Sequence, residues 1–437
     1  MTSSTAFRLQ TLRDAAYPLT GSAGDYDGLL DRIGDSRFVL IGEATHGTHE
    51  FYEQRALITK RLIDERGFAA VAAEADWPDA YRANCYVRGA SSARSAADSL
   101  KGFARFPTWM WRNTVVVEFL EWLRGRNAQA SRPAGFYGLD LYSLYTSIDS
   151  VLRYLDRVDP DGAARARYRY SCFEHFREDS QAYGYAASFD ISQSCEEGAL
   201  RQLLELRQNA AQYASRDGRV AEDEQFYAVQ NARLVKNAEE YYRTMFAGRI
   251  SSWNLRDRHM ADTLDELSEY LGGAKIVVWE HNSHVGDARA TDMTRRGELN
   301  VGQLIRERHP GEVYIVGFTT NSGHVTAAAD WGAPAERMRV RPGLRDSYEE
   351  LFHGLELPRF MFDLAKPNEF LSTKRLERAI GVIYRPSSER LSHYFLADMP
   401  RQFDTVIHID ETRALEPLET TPQWESGEPP ETFPFGE

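Results

Sequence analysis

Glu43 and His46 stand three residues apart where an apolar run, Phe38-Val39-Leu40-Ile41-Gly42, hands over to a polar stretch that reaches Arg55. A carboxylate that accepts a hydrogen bond from one imidazole nitrogen leaves the other nitrogen to take a proton. It also favours the imidazolium that forms. Other apolar runs end in similar groups. Glu74 and Asp76 follow Ala69-Ala70-Val71-Ala72-Ala73, and Asp140 follows Phe136-Tyr137-Gly138-Leu139. His281, Asn282 and His284 follow Ile276-Val277-Val278-Trp279-Glu280, and residues 313–319 lead into Thr320, Asn321 and Ser322.

Each group has a plainer use. Glu43 suits the first N–H groups of a following helix, His46 an ordinary loop, and His281 with His284 a hydrogen-bonded core pair. Arg55 alone suits a solvated helix face. Yet if a helix starts near Thr48, Arg55 lies about two turns in, and its side chain reaches back to the loop. Glu74 follows small apolar residues, so burial is expected, and a buried carboxylate needs a partner or a proton. His49 falls at a helix start, where an imidazolium is disfavoured, and is assigned to the scaffold. The chain contains no Gly-x-Ser-x-Gly, His-Glu-x-x-His, Gly-x-Gly-x-x-Gly or Walker sequence. A His/Glu/Asp/Arg cluster without a side-chain nucleophile points to water activated by a general base, or by a metal.

To bring these groups together, the apolar runs must lie side by side. Residues 37–43, 68–74, 135–141, 274–280 and 313–319 read as buried strands rich in Val, Ile and Phe. Between the first two, Phe51, Leu57, Ile58, Leu62 and Ile63 are spaced for a helix packed on a sheet, and Gly67 is placed to end it. Strand, helix and strand in succession make a βαβ unit, so a parallel sheet is expected, with the polar strand ends along one edge. Residues 147–271 carry long helix-forming stretches, such as 200–213 and 226–246, and predict a helical insertion between two sheet strands. Strands return at 313–320, 324–329, 338–341, 359–363, 380–384 and 405–409. The expected organisation is an α/β core in two parts, 1–146 and 272–419, with the insertion 147–271. The Pro- and Glu-rich tail 420–437 reads as a poorly packed extension.

The chain has 437 residues, 42% hydrophobic and 27% charged, with a net charge of −13, a composition typical of globular proteins. The acidic balance argues against nucleic acid or an anionic membrane as the main partner. No stretch approaches the ~18 apolar residues of a membrane span, and the N-terminus lacks an apolar signal core. Cys85, Cys172 and Cys195 lack metal-ligand spacing and read as buried thiols of a reducing compartment, so a cytoplasmic location is expected. Oligomeric state is not legible.

Ile41-Gly42-Glu43-Ala44-Thr45-His46-Gly47 with Arg55, then Glu74, then Trp279-Glu280-His281-Asn282-Ser283-His284 resemble the erythromycin esterase family, which includes succinoglycan-biosynthesis-related proteins. Residues 77–82, 106–111 and 381–386 support the resemblance, which spans roughly residues 25–415. It implies a mixed α/β fold: a largely parallel central sheet flanked by helices, with the helical insertion forming a second subdomain over a deep cleft. It further implies that His46 is a general base on water, surrounded by Glu43, Arg55, Glu74, His281 and His284. The reaction implied is hydrolysis of a small-molecule ester or lactone with no obligatory metal. The stretches at 77–79 and 106–111 resemble the broad bacterial branch rather than the resistance determinants, which leaves the substrate open.

In this expectation Glu43 orients His46, and Arg55, His281 or His284 stabilises the oxyanion. Asp76, Asp140, Trp109, Trp111 and Asn282 are candidate substrate contacts, and no cofactor is required. His46, His281, His284, Glu43 and Glu74 are also ligand types that suit Zn²⁺, Mn²⁺ or Fe²⁺. Neither His-x-x-His pair, 46/49 nor 281/284, sits in a metal motif, however. A third possibility is a non-catalytic small-molecule binding or biosynthetic accessory protein. The aromatic stretch 103–111 and the Tyr-rich insertion would then line its pocket, although core packing is their plainer role.

Overall fold

A computed structural model describes residues 3–426 apart from 177–178, 190, 193, 211, 214–219, 247 and 367. Its strands are β1 (Tyr17–Pro18), β2 (Phe38–Ile41), β3 (Ala70–Asp76), β4 (Gly135–Asp140), β5 (Ile276–Trp279), β6 (Val313–Thr319) and β7 (Ser322–Ala327). They continue with β8 (Glu336–Val340), β9 (Arg359–Asp363), β10 (Arg375–Arg378), β11 (Tyr394–Ala397), β12 (Thr405–Ile409) and β13 (Glu411–Thr412). Eight of them form the central sheet in the order β1-β9-β12-β6-β2-β5-β3-β4. From β12 to β4 every pairing is parallel, while β9 runs antiparallel to both β12 and β1. The fold is therefore mixed α/β with a largely parallel sheet. The chain moves to one side from β2 through β3 to β4, then returns by β5 and β6. Connections diverge around the β2-β5-β3 strip, which is where open α/β sheets bind ligands.

β2, β3 and β5 are buried on both faces, which is why they read as unbroken apolar runs. Val39, Ile41, Val71, Val277 and Trp279 pack with Phe51, Ile58 and Leu62 of the helix His49–Arg66 and with Phe119 and Leu123 of the helix Thr114–Asn127. Gly67 ends the first of these helices in a left-handed conformation, φ 73°. The opposite face, with Phe38, Leu40, Ile276 and Val278, shares one core with the insertion. The principal insertion helices are Leu144–Val158, Pro160–Tyr170, Ser180–Ser188, Glu196–Gln208, Val220–Thr244 and Arg249–Tyr270.

Three sequence expectations change. Residues 380–384 form no strand: Ile380 and Ile383 make isolated bridges to Thr45 and Ala328, because this backbone holds the loop after β2. Cys172 and Cys195 are not thiols but a disulfide, Cα–Cα 5.9 Å, and Cys85 is the free cysteine. Their separation of 23 residues gave no hint of contact, and only helix packing brings them together. The thiol argument for a reducing compartment goes with them. The start of the tail is packed, since Pro422–Ser426 is helical and Trp424 Nε1 donates to Thr326 Oγ1 at 2.8 Å. Residues 427–437 lie outside the described residues. No helix among the described residues is long and apolar enough to cross a membrane.

Candidate active site

The loop after β2 is pinned by distant backbone. The His46 N–H donates to Ile380 O at 3.2 Å, and the Gly47 carbonyl accepts from the N–H groups of Thr326 and Leu415 at 2.9 and 2.8 Å. A Cβ on Gly47 would lie 1.8 Å from Thr326 O, so this approach requires glycine. His46 Nδ1 donates to Glu43 Oε1 at 2.9 Å. Arg55 Nη2 lies 3.1 Å from the other oxygen of Glu43. The Arg55 guanidinium is fully buried and lies over the rings of Tyr52 and Trp279, at 4.4 and 5.2 Å. With Nδ1–H committed to Glu43, His46 Nε2 carries the lone pair, 3.9 Å from Glu74 Oε1.

Glu74 is aimed by a β-bulge. Ala73 pairs with Gly138 and Asp76 with Asp140, so β3 carries one more residue than β4 over this span. A Cβ on Gly138 would lie 2.4 Å from the Ala75 carbonyl oxygen. Glu74 accepts from the His281 N–H at 2.9 Å and from Arg256 Nη2 at 2.7 Å. Burial alone would raise its pKa, but His284 and His46 whenever they are protonated, the Arg256 guanidinium and the His281 N–H pull the carboxyl well below the usual range. Asp76 pairs with Arg105 Nη2 at 3.0 Å.

Arg256 joins the walls of the site. Its Nε and Nη2 grip the two oxygens of Asp140 at 2.9 and 2.8 Å, and its Nη1 lies 2.9 Å from His284 Nε2. His284 Nδ1 meets Asp257 Oδ1 at 2.9 Å, and Trp253 stacks on the His284 ring at 4.6 Å. Trp253, Arg256 and Asp257 share one face of the helix Arg249–Tyr270 through their i, i+3, i+4 spacing. Burial disfavours charge on His284, yet Asp257 and Glu74 outweigh it and raise its pKa. The Arg256 donor opposes them, because it needs a lone pair on Nε2. The contact geometry favours the neutral ring.

His281 follows β5. Its Nδ1 accepts from the Ser283 N–H at 3.2 Å, so its Nε2 bears hydrogen, and that atom has no hydrogen-bond partner. Burial, then the neighbouring His46, pushes its pKa well below the ordinary value, which leaves the ring neutral. The His281 and His46 ring centroids are 4.7 Å apart. Beside them Glu280 is fully buried, and burial together with Glu74 and Asp257 raises its pKa so that it stays protonated.

These groups face a cavity of about 380 Å³. The structure brings His46, Glu74, Asp76, Asp140, Trp111, His281 and His284 to its wall, with Glu43 and Arg55 behind His46. Two sequence candidates lie elsewhere. Asn282 turns away, bonding Phe318 O through Nδ2 at 2.7 Å and the Phe318 N–H through Oδ1 at 3.3 Å, and so ties β5 to β6. A Cβ on Gly42 would lie 2.1 Å from that Oδ1, so the glycine serves this tie. Trp109 packs edge-on against Phe106 at 5.4 Å, behind the wall. Arg256, Asp257 and Arg105 were not among the sequence candidates. The only local cue to the first two was the spacing of Trp253, Arg256 and Asp257 on one helix face. Among the described residues no group of three or more His, Cys, Asp or Glu is arranged to hold a metal ion. The Arg256 guanidinium occupies the place between Glu74, Asp140 and His284.

The erythromycin esterase profile matches residues 63–412, beginning after the His46 loop. Erythromycin esterase type II of Escherichia coli is 22% identical over 429 residues, spanning 90% of this chain and 93% of the relative. Erythromycin esterase type I of the same organism is 21% identical over 325 residues, 68% and 74% of the two chains. Among solved structures, a succinoglycan biosynthesis protein aligns with a TM-score of 0.79 at 21% identity, covering 96% of this chain and all 100% of the other. An erythromycin esterase mutant in its open conformation aligns with a TM-score of 0.66 at 17% identity, covering 91% and 96%. At these identities the structural likeness is one of fold. With the profile matched over most of its length, the chain belongs to the erythromycin esterase family.

Proposed function

We propose that this hydrolase cleaves an ester or lactone of a small molecule, with His46 as general base on water. The observation that carries the proposal is the mounting of His46: Nδ1 is fixed by Glu43, Glu43 by Arg55, and Nε2 opens onto the cavity beside Glu74. Water between Nε2 and Glu74 gives its proton to His46 as its oxygen attacks the carbonyl carbon. Glu43 and Glu74 stabilise the imidazolium that forms. The oxyanion is received by His281 Nε2–H, a donor already desolvated and without a partner. Arg256 adds a further donor, the guanidinium N–H not engaged with Asp140, Glu74 or His284. His46 then returns its proton to the leaving alkoxide, and a carboxylic acid and an alcohol result.

Arg256 supplies the positive charge in this scheme, so no metal is invoked. Protein treated with EDTA is expected to keep its rate, and a rate restored only by a divalent metal would overturn this part. The decisive experiment is an ester and lactone panel run with wild type and His46→Ala. General-base assistance is worth about 10²–10⁴ in rate, so a loss of that size in kcat is expected with the fold intact. Near-wild-type turnover by His46→Ala on a confirmed substrate would sink the assignment.

A further inference from the structure

The polar floor of the cavity is matched to the reaction, whereas its upper wall is aromatic. Tyr142 lies between two guanidinium groups, Arg105 at 4.7 Å and Arg256 at 5.0 Å from its ring. Trp253 is fixed by its stack on His284 and by its Nε1 donating to Leu299 O at 2.7 Å. Nearer the mouth, Phe106 and Trp331 meet with centroids 4.9 Å apart and planes tilted by 59°. Trp331 is nevertheless 55% exposed. Rings at that separation already touch, so a third ring would pack on the exposed part of Trp331 at the cavity wall.

Charge restricts the occupant further. Each guanidinium on the wall is paired: Arg105 with Asp76, Arg256 with Asp140, and Arg296 with Glu298. Glu74 shares Arg256 with Asp140, so the wall has no surplus positive charge with which to hold an anionic substrate. Building on the hydrolase function proposed for this same site, we propose that the enzyme takes an ester that carries no negative charge and whose acyl or alcohol part is a flat aromatic ring system. Phe106 and Trp331 determine that specificity.

The test compares 2-naphthylmethyl and benzyl acetate with cyclohexylmethyl acetate, whose leaving alcohols ionise alike, and includes erythromycin. The aromatic esters are expected to lead in kcat/KM by about tenfold. Trp331→Leu is expected to raise KM for the naphthylmethyl ester about tenfold, with the loss falling on KM rather than kcat, and Trp331→Phe to recover most of it. Equal efficiency for aromatic and saturated esters, an equal effect of Trp331→Leu on both, or preferred turnover of erythromycin would each overturn the inference. Binding of 2-naphthylmethyl methyl ether, which cannot be hydrolysed, is read in parallel by calorimetry. Saturable binding weakened by Trp331→Leu, with no ester cleaved, would retain the aromatic site and reject the hydrolase reading. Absence of such binding would reject the aromatic site, whatever the esters do.

Discussion

A single guanidinium, that of Arg256, touches Asp140, Glu74 and His284 at once. Lysine keeps the charge there but offers a point donor in place of a planar fork, so it cannot grip both oxygens of Asp140 and still reach the other two partners. Arg256→Lys is expected to lower kcat by about 10², in keeping with loss of an oriented transition-state donor. Arg256→Ala leaves two buried carboxylates unpaired and is expected to lose about 3–5 kcal/mol of stability as well, which denaturant titration would read. Asp79 gives a separate test by pH. Burial, then Asp76, raises its pKa to about 7 against the pull of Arg82 and Arg105. The folded state therefore holds this proton to higher pH than the unfolded chain does. Stability falls as pH rises from ~4 towards 7 and the loss is constant above that. The melting temperature of Asp79→Asn relative to wild type is expected to climb between pH 5 and pH 8. A flat difference would show that Asp79 does not titrate there. Glu43, His46, Glu74, His281 and His284 could be found from sequence because each closes an apolar run, where chain position and chemistry coincide. Arg256 and Asp257 lie within a helix full of charged residues, so only the tertiary contact distinguishes them.

The β-bulge in β3 shows how an element can position a reactive group. Gly138 lets the Ala75 carbonyl approach, and the extra residue sets Asp76 opposite Asp140 while Glu74 meets Arg256. Gly138→Ala is expected to leave the far-UV spectrum intact and to cost about 10² in kcat, since displacements near 1 Å have that effect. Unchanged kcat would remove the bulge from the account. The parallel strands and the helical insertion were legible because both follow hydrophobic period and propensity. β10 was not: its sequence Arg375-Leu376-Glu377-Arg378 places Glu377 and Arg378 fully in the interior, so the usual alternation of apolar and polar residues is absent. Residues 380–384 misled in the opposite sense, because an apolar run served as an anchor for the His46 loop instead of pairing along its length.

At the scale of the whole molecule, the disulfide fastens the turn after Pro160–Tyr170 to the start of Glu196–Gln208 within the insertion that carries Arg256. Closing a loop of 23 residues is worth about 3 kcal/mol in chain entropy. Cys172→Ser is expected to lower the melting temperature, and the denatured, unreduced protein to show one reactive thiol, that of Cys85. Three reactive thiols would refute the pairing. The bonds that seat His46 act on a different axis, that of time. Its loop is held by the backbone of Thr326, Ile380 and Leu415, all made long after residue 46 leaves the ribosome. Every histidine of the site is synthesised before the last of these anchors exists. A polypeptide cut off before Leu415 would thus contain every histidine of the site and lack one of the bonds that seat His46.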